Sequence, residues 1–348
     1  MQILEHIRLA PYTTLRVGGP ARYFAEARSE EEIIDALAYA REHGLEVFVL
    51  GGGSNLVVSD AGWPGLVLKI TIDGIRASEQ NGKRLFTAGA GEDWDGLVAY
   101  AVEQNCAGIE CMSGIPGTVG GTPVQNVGAY GQEVAETITQ VRVIDTPSGE
   151  ARYMTNAECG FAYRTSIFNT AEKSRYIVTQ VSYALTPGGA PRIAYADLKK
   201  YFATAVSTPT LSQVREAVRS IRASKAMLIV PNDDDCCSAG SFFKNPIIST
   251  AEYARIAALP VCCKQNPPSY PAPEGQVKVS AAWLVERSGF HKGYTEGRVG
   301  ISRKHSLAIV NRGGATASEI AQFKTKVQDG VQKVFGLQLH PEPVFVGF

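Results

Sequence analysis

The spacing of apolar and polar positions changes period several times along the chain, and each change predicts an element. From Ser29 to Gly44, Ile33, Ile34, Leu37 and Ala38 recur at helical spacing. Ser29 and Glu32 form a capping-box pattern at the start, and Gly44 supplies the stop. VFVL (47–50) reads as a strand, followed by GGGSN (51–55) and the strand-like runs LVV (56–58) and GLVLKI (65–70). RLFTAGAG (84–91) predicts a strand leading into a helix from Asp93 to about Gln104. The stretch 138–155 alternates on both sides of Pro147-Ser148-Gly149, a hairpin signature, and a further strand is expected over 176–185. Helical spacing returns over 212–223, with Val214, Ala217, Val218 and Ile221 on one face, and again at Ile320, Phe323, Val327, Val331 and Phe335. Capping boxes at Ser249…Glu252 and Thr316…Glu319 open later helices, and PVFVGF (343–348) is a closing strand.

This order predicts an α+β protein with mixed sheets in at least two domains. At 348 residues, two or three domains are expected. The polar, turn-rich PNDDDCCSAG (231–240) reads as a hinge between them, with its three aspartates facing solvent. Lys plus Arg and Asp plus Glu number 34 each, which argues against a nucleic-acid or anionic-membrane partner. No apolar run reaches the roughly 18–20 residues needed to span a bilayer. The segment MQILEHIRLAPYTT carries charge where a signal peptide would be apolar, so a cytoplasmic protein is expected. Seven cysteines include two adjacent pairs but no CxxC, and the five histidines lie elsewhere. Free thiols and no metal site are therefore expected.

The glycine clusters carry the first chemistry. Gly51-Gly52-Gly53-Ser54-Asn55 is neither a Rossmann fingerprint nor a P-loop, because a strand follows it and no Gly-Lys-Ser/Thr is present. Three residues without Cβ let consecutive N–H groups converge on an anion, and Ser54 and Asn55 add side-chain donors. A tight strand–strand turn would explain the same residues. The second cluster shifts the balance: Ser113, Gly114, Ile115, Pro116, Gly117, Thr118, Gly120 and Gly121 crowd small residues where a ligand must approach closely. Two such loops suit a long dinucleotide clasped along its length.

LGGGSN, SGIPGTVGGTPVQNVGAYG (113–131), YRTSIF (163–168), AGSFFKNP (239–246) and a late Pro-Glu pair together resemble the UDP-N-acetylenolpyruvoylglucosamine reductase family, in order and spacing, from about Thr13 to Phe345. The resemblance implies an FAD-binding domain of the vanillyl-alcohol oxidase type in two α+β subdomains, plus a C-terminal α+β substrate-binding domain. The division it suggests is 1–68, with 338–348 returning to it, then 69–224 and 225–337. It also implies NADPH as co-substrate, a nucleotide-sugar substrate and a monomer. No histidine lies between His43 and His291, so FAD is expected to be held non-covalently.

The expected reaction adds hydride to an enol ether conjugated to a carboxylate, which calls for a cation, an acidic group near the enolate and a proton donor. By resemblance these are Arg164, Glu342 and Ser241. A guanidinium suits the first role because it stays charged and grips a carboxylate with two parallel bonds. Without the motifs, Arg164 would read as a surface cation, Ser241 as a turn cap and Glu342 as a solvated charge. Gly51, Gly52, Gly53, Ser54, Asn55, the second loop and Gly128 match cofactor positions. Tyr130, Tyr163, Lys225, Asn245, Tyr270 and Lys292 match substrate contacts. Tyr195 resembles the tyrosine that closes over the nucleotide sugar in one subclass. The family's usual Pro-Glu-Val-Arg runs Pro-Glu-Pro-Val here, so the arginine after Glu342 is absent. An FAD oxidase of the same fold would explain the glycine loops but not AGSFFKNP or YRTSIF. A nucleotide-sugar-binding protein without catalysis would leave the three reactive residues together unexplained. His305 reads as structural, and Trp283 as core on a helix.

Overall fold

The computed structural model describes residues 1–231 and 233–348. The chain forms two compact units, one of 1–7, 21–53 and 63–228, the other of 8–20, 54–62 and 229–348.

In the first unit, Val47–Leu50, Trp63–Ile70 and Pro20–Ala27 run parallel as neighbours, with Ile3–Arg8 beyond the last. Helix α1 (Glu30–Glu42) buries Ile33, Ala36, Leu37 and Ala40 in the core shared with Leu66, Leu68 and Ile70. Ser29 caps it by accepting from the Glu32 N–H, but the Glu32 carboxylate accepts from Arg28 N–H at 2.6 Å. The expected reciprocal box is therefore shifted by one residue on one side. Gly44 follows in a left-handed conformation, φ +61°, which suits a residue without Cβ.

A six-stranded antiparallel sheet forms the rest of this unit's framework. Its order is Ala151–Thr155, Ile138–Asp145, Tyr176–Pro187, Lys83–Gly89 and Ile75–Gln80, with Cys106–Ala107 pairing the far end of Tyr176–Pro187. The predicted hairpin is present, turning at Pro147–Gly149. Helix α2 (Trp94–Glu103) starts at Asp93, whose carboxylate accepts from Gly96 N–H, and buries Trp94, Leu97, Val98 and Ala101. The Glu30 carboxylate, in the first turn of α1, receives both Nε and Nη2 of Arg142 at 2.6 and 2.7 Å and the Thr179 hydroxyl. The Arg142 bonds hold its pKa below the usual value despite partial burial. Helix α3 (Ala196–Tyr201) and helix α4 (Leu211–Ser224) complete the unit. The start of α4 carries a reciprocal Thr210–Gln213 box that the sequence reading missed.

The second unit holds two three-stranded antiparallel sheets: Ile247–Ser249, Gln276–Val279, Ser269–Tyr270; and Thr295–Glu296, Val299–Ile301, Ile309–Asn311. A separate parallel pair joins Leu56–Val58 to Val344–Val346. Helices α5 (Thr250–Ala257), α6 (Ala281–Arg287) and α7 (Ala317–Phe335) pack here. Along α7, Ile320, Phe323, Val327, Val331 and Phe335 are buried, as their spacing predicts. Its reciprocal Thr316–Glu319 box is present, and the Asp60 carboxylate accepts from the Ala317 and Ser318 N–H groups. Trp283 is core as expected, with its Nε1 lacking an acceptor among the described residues.

The acidic stretch departs from expectation. Asp235 is 1% exposed, not solvent-facing. Its carboxylate binds Arg312 Nη1 at 2.5 Å, accepts from Arg303 N–H and sits 3.5 Å from Arg303 Nε, while Asp233 pairs with Lys304 at 2.5 Å. Asp234 is exposed as expected, but cations more than 65 residues away partner Asp233 and Asp235. Among the described residues no helix is long and apolar enough to cross a membrane, and no cluster could hold a metal ion.

Candidate flavin and substrate sites

In the first unit the two glycine clusters lie against each other. A Cβ built on Gly52 would fall 2.6 Å from Gly117 Cα, and one on Gly51 3.0 Å from Thr118 Oγ1. Neither backbone could approach so closely with larger residues, which is the reason for glycine at position 52. The Gly52 and Gly53 N–H groups donate to no acceptor among the described residues. The second loop is held along the turn before α2. Gly117 O accepts from Trp94 N–H, Val119 N–H donates to Glu92 O, and Gly120 N–H donates to Ala90 O. At its start, the buried Ser113 hydroxyl donates to Glu110 O at 2.6 Å. Gly114 N–H donates to Asp95 Oδ1 at 2.6 Å, and Gly114 O accepts from Arg222 Nε at 3.1 Å. The undirected Gly52 and Gly53 N–H groups, beside a second close-packed glycine loop, fit a dinucleotide diphosphate, so these residues suit FAD.

Arg164 sits at the tip of a tight turn closed by reciprocal hydrogen bonds between Ala162 and Thr165. Its own φ is +54°, a left-handed conformation costly for a side chain of this size. Its Nη2 donates to Gly128 O at 2.8 Å, and its guanidinium carbon lies 5.5 Å from the Tyr163 ring centroid. Asn126 and Tyr130 also have positive φ, +45° and +48°. The buried Asn126 side chain donates to Glu133 Oε2 and Ala162 O, and accepts from Ala135 N–H. It therefore ties the GAYG segment to the Arg164 turn. Asn126 lies inside the 113–131 motif, but no local signal in the sequence marks it for this role.

Tyr130 meets Tyr195 edge to face, with ring centroids 5.4 Å apart, and burial raises its hydroxyl to about 12. Tyr195 is 43% exposed at the start of α3. Lys225, at the end of α4, forms an ion pair with Asp197 at 2.5 Å.

The second unit gathers Ser241, Glu342 and Asn55. Phe242 N–H donates to Leu307 O, Glu342 N–H donates to Phe242 O, and Lys244 N–H donates to His340 O. The AGSFFKNP segment is thus laid between the 307 loop and the 340–342 segment, with Gly240 at φ +75° turning the chain just before Ser241. Asn55 Nδ2 donates to Glu342 O at 3.2 Å, and Val344 N–H donates to Asn55 O. Ser54 O accepts from the Thr14 hydroxyl. Asn245 Oδ1 accepts from Ala281 N–H and so opens α6. Tyr270 is exposed on a short strand, and Lys292 lies in the turn after α6. His305 Nδ1 accepts from Leu307 N–H, a turn-forming bond. None of the described bonds joins Tyr270 or Lys292 to the Ser241 group.

Comparison with known proteins gives a consistent result. Residues 21–154 match the FAD binding domain family, and 231–346 match the C-terminal domain of UDP-N-acetylenolpyruvoylglucosamine reductase. The chain is 45% identical to the UDP-N-acetylenolpyruvoylglucosamine reductase of Thermobifida fusca, over 99% of this chain and 98% of the relative. It is 43% identical to that of Mycobacterium tuberculosis, over 99% and 95%. The crystal structure of the Thermus caldophilus enzyme superposes with a TM-score of 0.67 at 26% identity, over 99% of this chain and 98% of that one. With matching family patterns in both parts and full-length relatives, the chain belongs to the UDP-N-acetylenolpyruvoylglucosamine reductase family of FAD-dependent oxidoreductases.

Proposed function

We propose that this chain reduces the enolpyruvyl ether of UDP-N-acetylglucosamine enolpyruvate to UDP-N-acetylmuramate, with NADPH as reductant and FAD held non-covalently. The observation that supports the reading is the backbone bond from Glu342 N–H to Phe242 O, which pairs the segment carrying the expected acid with the segment carrying the expected proton donor. Bound FAD, lined by the two glycine loops, would supply the hydride chemistry between NADPH and the enolpyruvyl substrate.

Hydride addition moves the double-bond electrons toward the carboxylate. Arg164 binds that carboxylate and offsets the growing charge. Ser241 Oγ gives its proton to the adjacent carbon, completing the two-electron reduction, and regains a proton from solvent. Glu342 lies by the carboxylate and orders the groups around the enolate. Gly51–Asn55, Ser113–Thr118, Gly120 and Gly128 line the cofactor, and the Gly52 and Gly53 N–H groups donate to its diphosphate. Tyr130, Tyr163, Tyr195, Asn245, Tyr270 and Lys292 contact the nucleotide sugar, with Tyr195 closing over it. The Lys225 pair with Asp197 opens when substrate diphosphate arrives. We also propose a cytoplasmic monomer and retain the three-part division at 68/69, 224/225 and 337/338.

An anaerobic two-step titration followed by flavin absorbance tests this. NADPH should bleach the yellow protein, and UDP-N-acetylglucosamine enolpyruvate should restore its colour. Bleaching without recovery would mean a different acceptor, and the roles of Arg164, Ser241 and Glu342 would fall.

A further inference from the structure

A single buried carboxylate in the first unit joins segments that carry two of the proposed substrate contacts. Glu110, in the one-turn 3-10 helix Glu110–Met112, is 1% exposed. Its Oε2 accepts from Gly108 N–H at 2.7 Å. Its Oε1 accepts twice, from Gln132 Nε2 at 2.9 Å and from Arg192 N–H at 3.0 Å. Cys111 repeats the pattern, its N–H donating to Gln132 Oε1 at 2.8 Å and its Sγ to Arg192 O at 3.1 Å.

Both partners lead to a tyrosine. Gln132 is buried and pairs with Ala129 across a hairpin whose tip is Tyr130-Gly131. Arg192 lies three residues before Tyr195, and Leu198 of α3 shares a core with Cys111 and with Val214, Ala217 and Val218 of α4. The Arg192 side chain pairs with Glu136, but both groups are nearly half exposed, and such pairs contribute little. The segment before Tyr195 is therefore anchored by its backbone to buried groups. A carboxylate is costly to bury unless several donors meet it. What it adds over a neutral group is an oxygen that accepts strongly from two segments at once.

We infer that Glu110 is a positioning residue for the nucleotide-sugar substrate. Through Gln132 and the Arg192 N–H it fixes the separation of Tyr130 and Tyr195, whose ring centroids lie 5.4 Å apart, without touching substrate itself. This rests on the reading of those two tyrosines as substrate contacts.

The test is binding of UDP-N-acetylglucosamine enolpyruvate to the oxidised holoenzyme, read by perturbation of the flavin absorbance. The double exchange Glu110→Gln with Gln132→Glu keeps volume, charge and a donor–acceptor pair in the core, but turns an amide NH2 toward the Arg192 N–H. It should weaken substrate binding about tenfold while retaining FAD and bleaching by NADPH. Glu136→Ala, which removes only the surface ion pair, should bind substrate as the native protein does. Tyr195→Ala should also weaken binding, and adding the exchange to it should cost nothing further, because the two act through one contact. A merely structural role for Glu110 would instead give additive losses, or loss of FAD together with substrate. Native affinity in the exchanged protein, additive losses, or an equal loss in Glu136→Ala would each overturn the inference. If Tyr195→Ala binds substrate normally, the reading of Tyr195 fails and the inference falls with it. If Tyr195→Ala weakens binding and the exchange does not, only the role of Glu110 fails. Should the exchanged protein melt well below the native one, hydrogen exchange in the native holoenzyme decides. The Arg192 amide should exchange at least about tenfold more slowly than those of Ile193 and Ala194, and equal rates would overturn the inference.

Discussion

The two units hold Arg164 and Ser241 by opposite means. Around Arg164, the first unit uses unusual backbone: Asn126, Tyr130 and Arg164 all adopt positive φ, and the buried Asn126 amide makes three hydrogen bonds across the segments. Around Ser241, the second unit uses ordinary backbone pairing, with Phe242 bonded to Leu307 on one side and to Glu342 on the other. Strained positions persist only where surrounding bonds over-determine them. The carboxylate-binding role proposed for Arg164 gains from that rigidity. The proton transfer proposed for Ser241 needs placement along the chain and little else.

This contrast can be broken from either side. The largest effect is expected at Ser241. Ser241→Ala should slow substrate-driven recovery of flavin colour by roughly 10²–10⁴ while leaving bleaching by NADPH intact; stopped-flow absorbance of each half-reaction decides it. Next comes the ion cluster that anchors the second unit. Asp235→Ala leaves the largely buried Arg312 without its carboxylate, and should destabilise that unit by about 3–5 kcal/mol in denaturant melts. Asn126→Gly suits the left-handed backbone yet deletes its three side-chain bonds. It should cost about 1–3 kcal/mol and lower turnover by loosening the Arg164 turn, and a normal turnover number would show that the turn holds itself.

The smallest effect concerns the framework of the first unit. Glu30 has its pKa lowered, first by its bond from Arg142, so its contribution is present above its unfolded value near 4.5 and fades as pH falls through the lower folded value. Glu30→Gln should therefore cost about 1–2 kcal/mol at neutral pH, and the gap to the native protein should narrow in acid. Parallel urea titrations at pH 7 and pH 3 measure it. A gap that widens in acid would reverse the assignment.

Much of this was legible because local rules govern it. The α7 stripe, the 138–155 hairpin, the Asp93 cap and both glycine clusters each depend on residues close in sequence. Long-range charge was not legible. Asp235 meets Arg312 across 77 positions and Glu30 meets Arg142 across 112, and nothing local distinguishes these acids from solvated ones. Glu110 was hidden in the same way, because Gln132 and Arg192 reach it across 22 and 82 positions. The reciprocal box expected at Ser29 failed because Glu32 had an alternative N–H, that of Arg28, within reach.

The pairing of Leu56–Val58 with Val344–Val346 has a consequence for synthesis. Asn55 and Glu342 are bonded across 287 positions. At roughly 5–20 residues per second on the ribosome, the partner strand follows about 15–60 s later. Through that interval the apolar LVV segment lacks its partner strand, while residues 63–228, most of the first unit, are themselves still being made. The nascent chain should thus be a client for chaperones that bind short apolar strands, and its yield should depend on them more than the stability of the finished enzyme suggests.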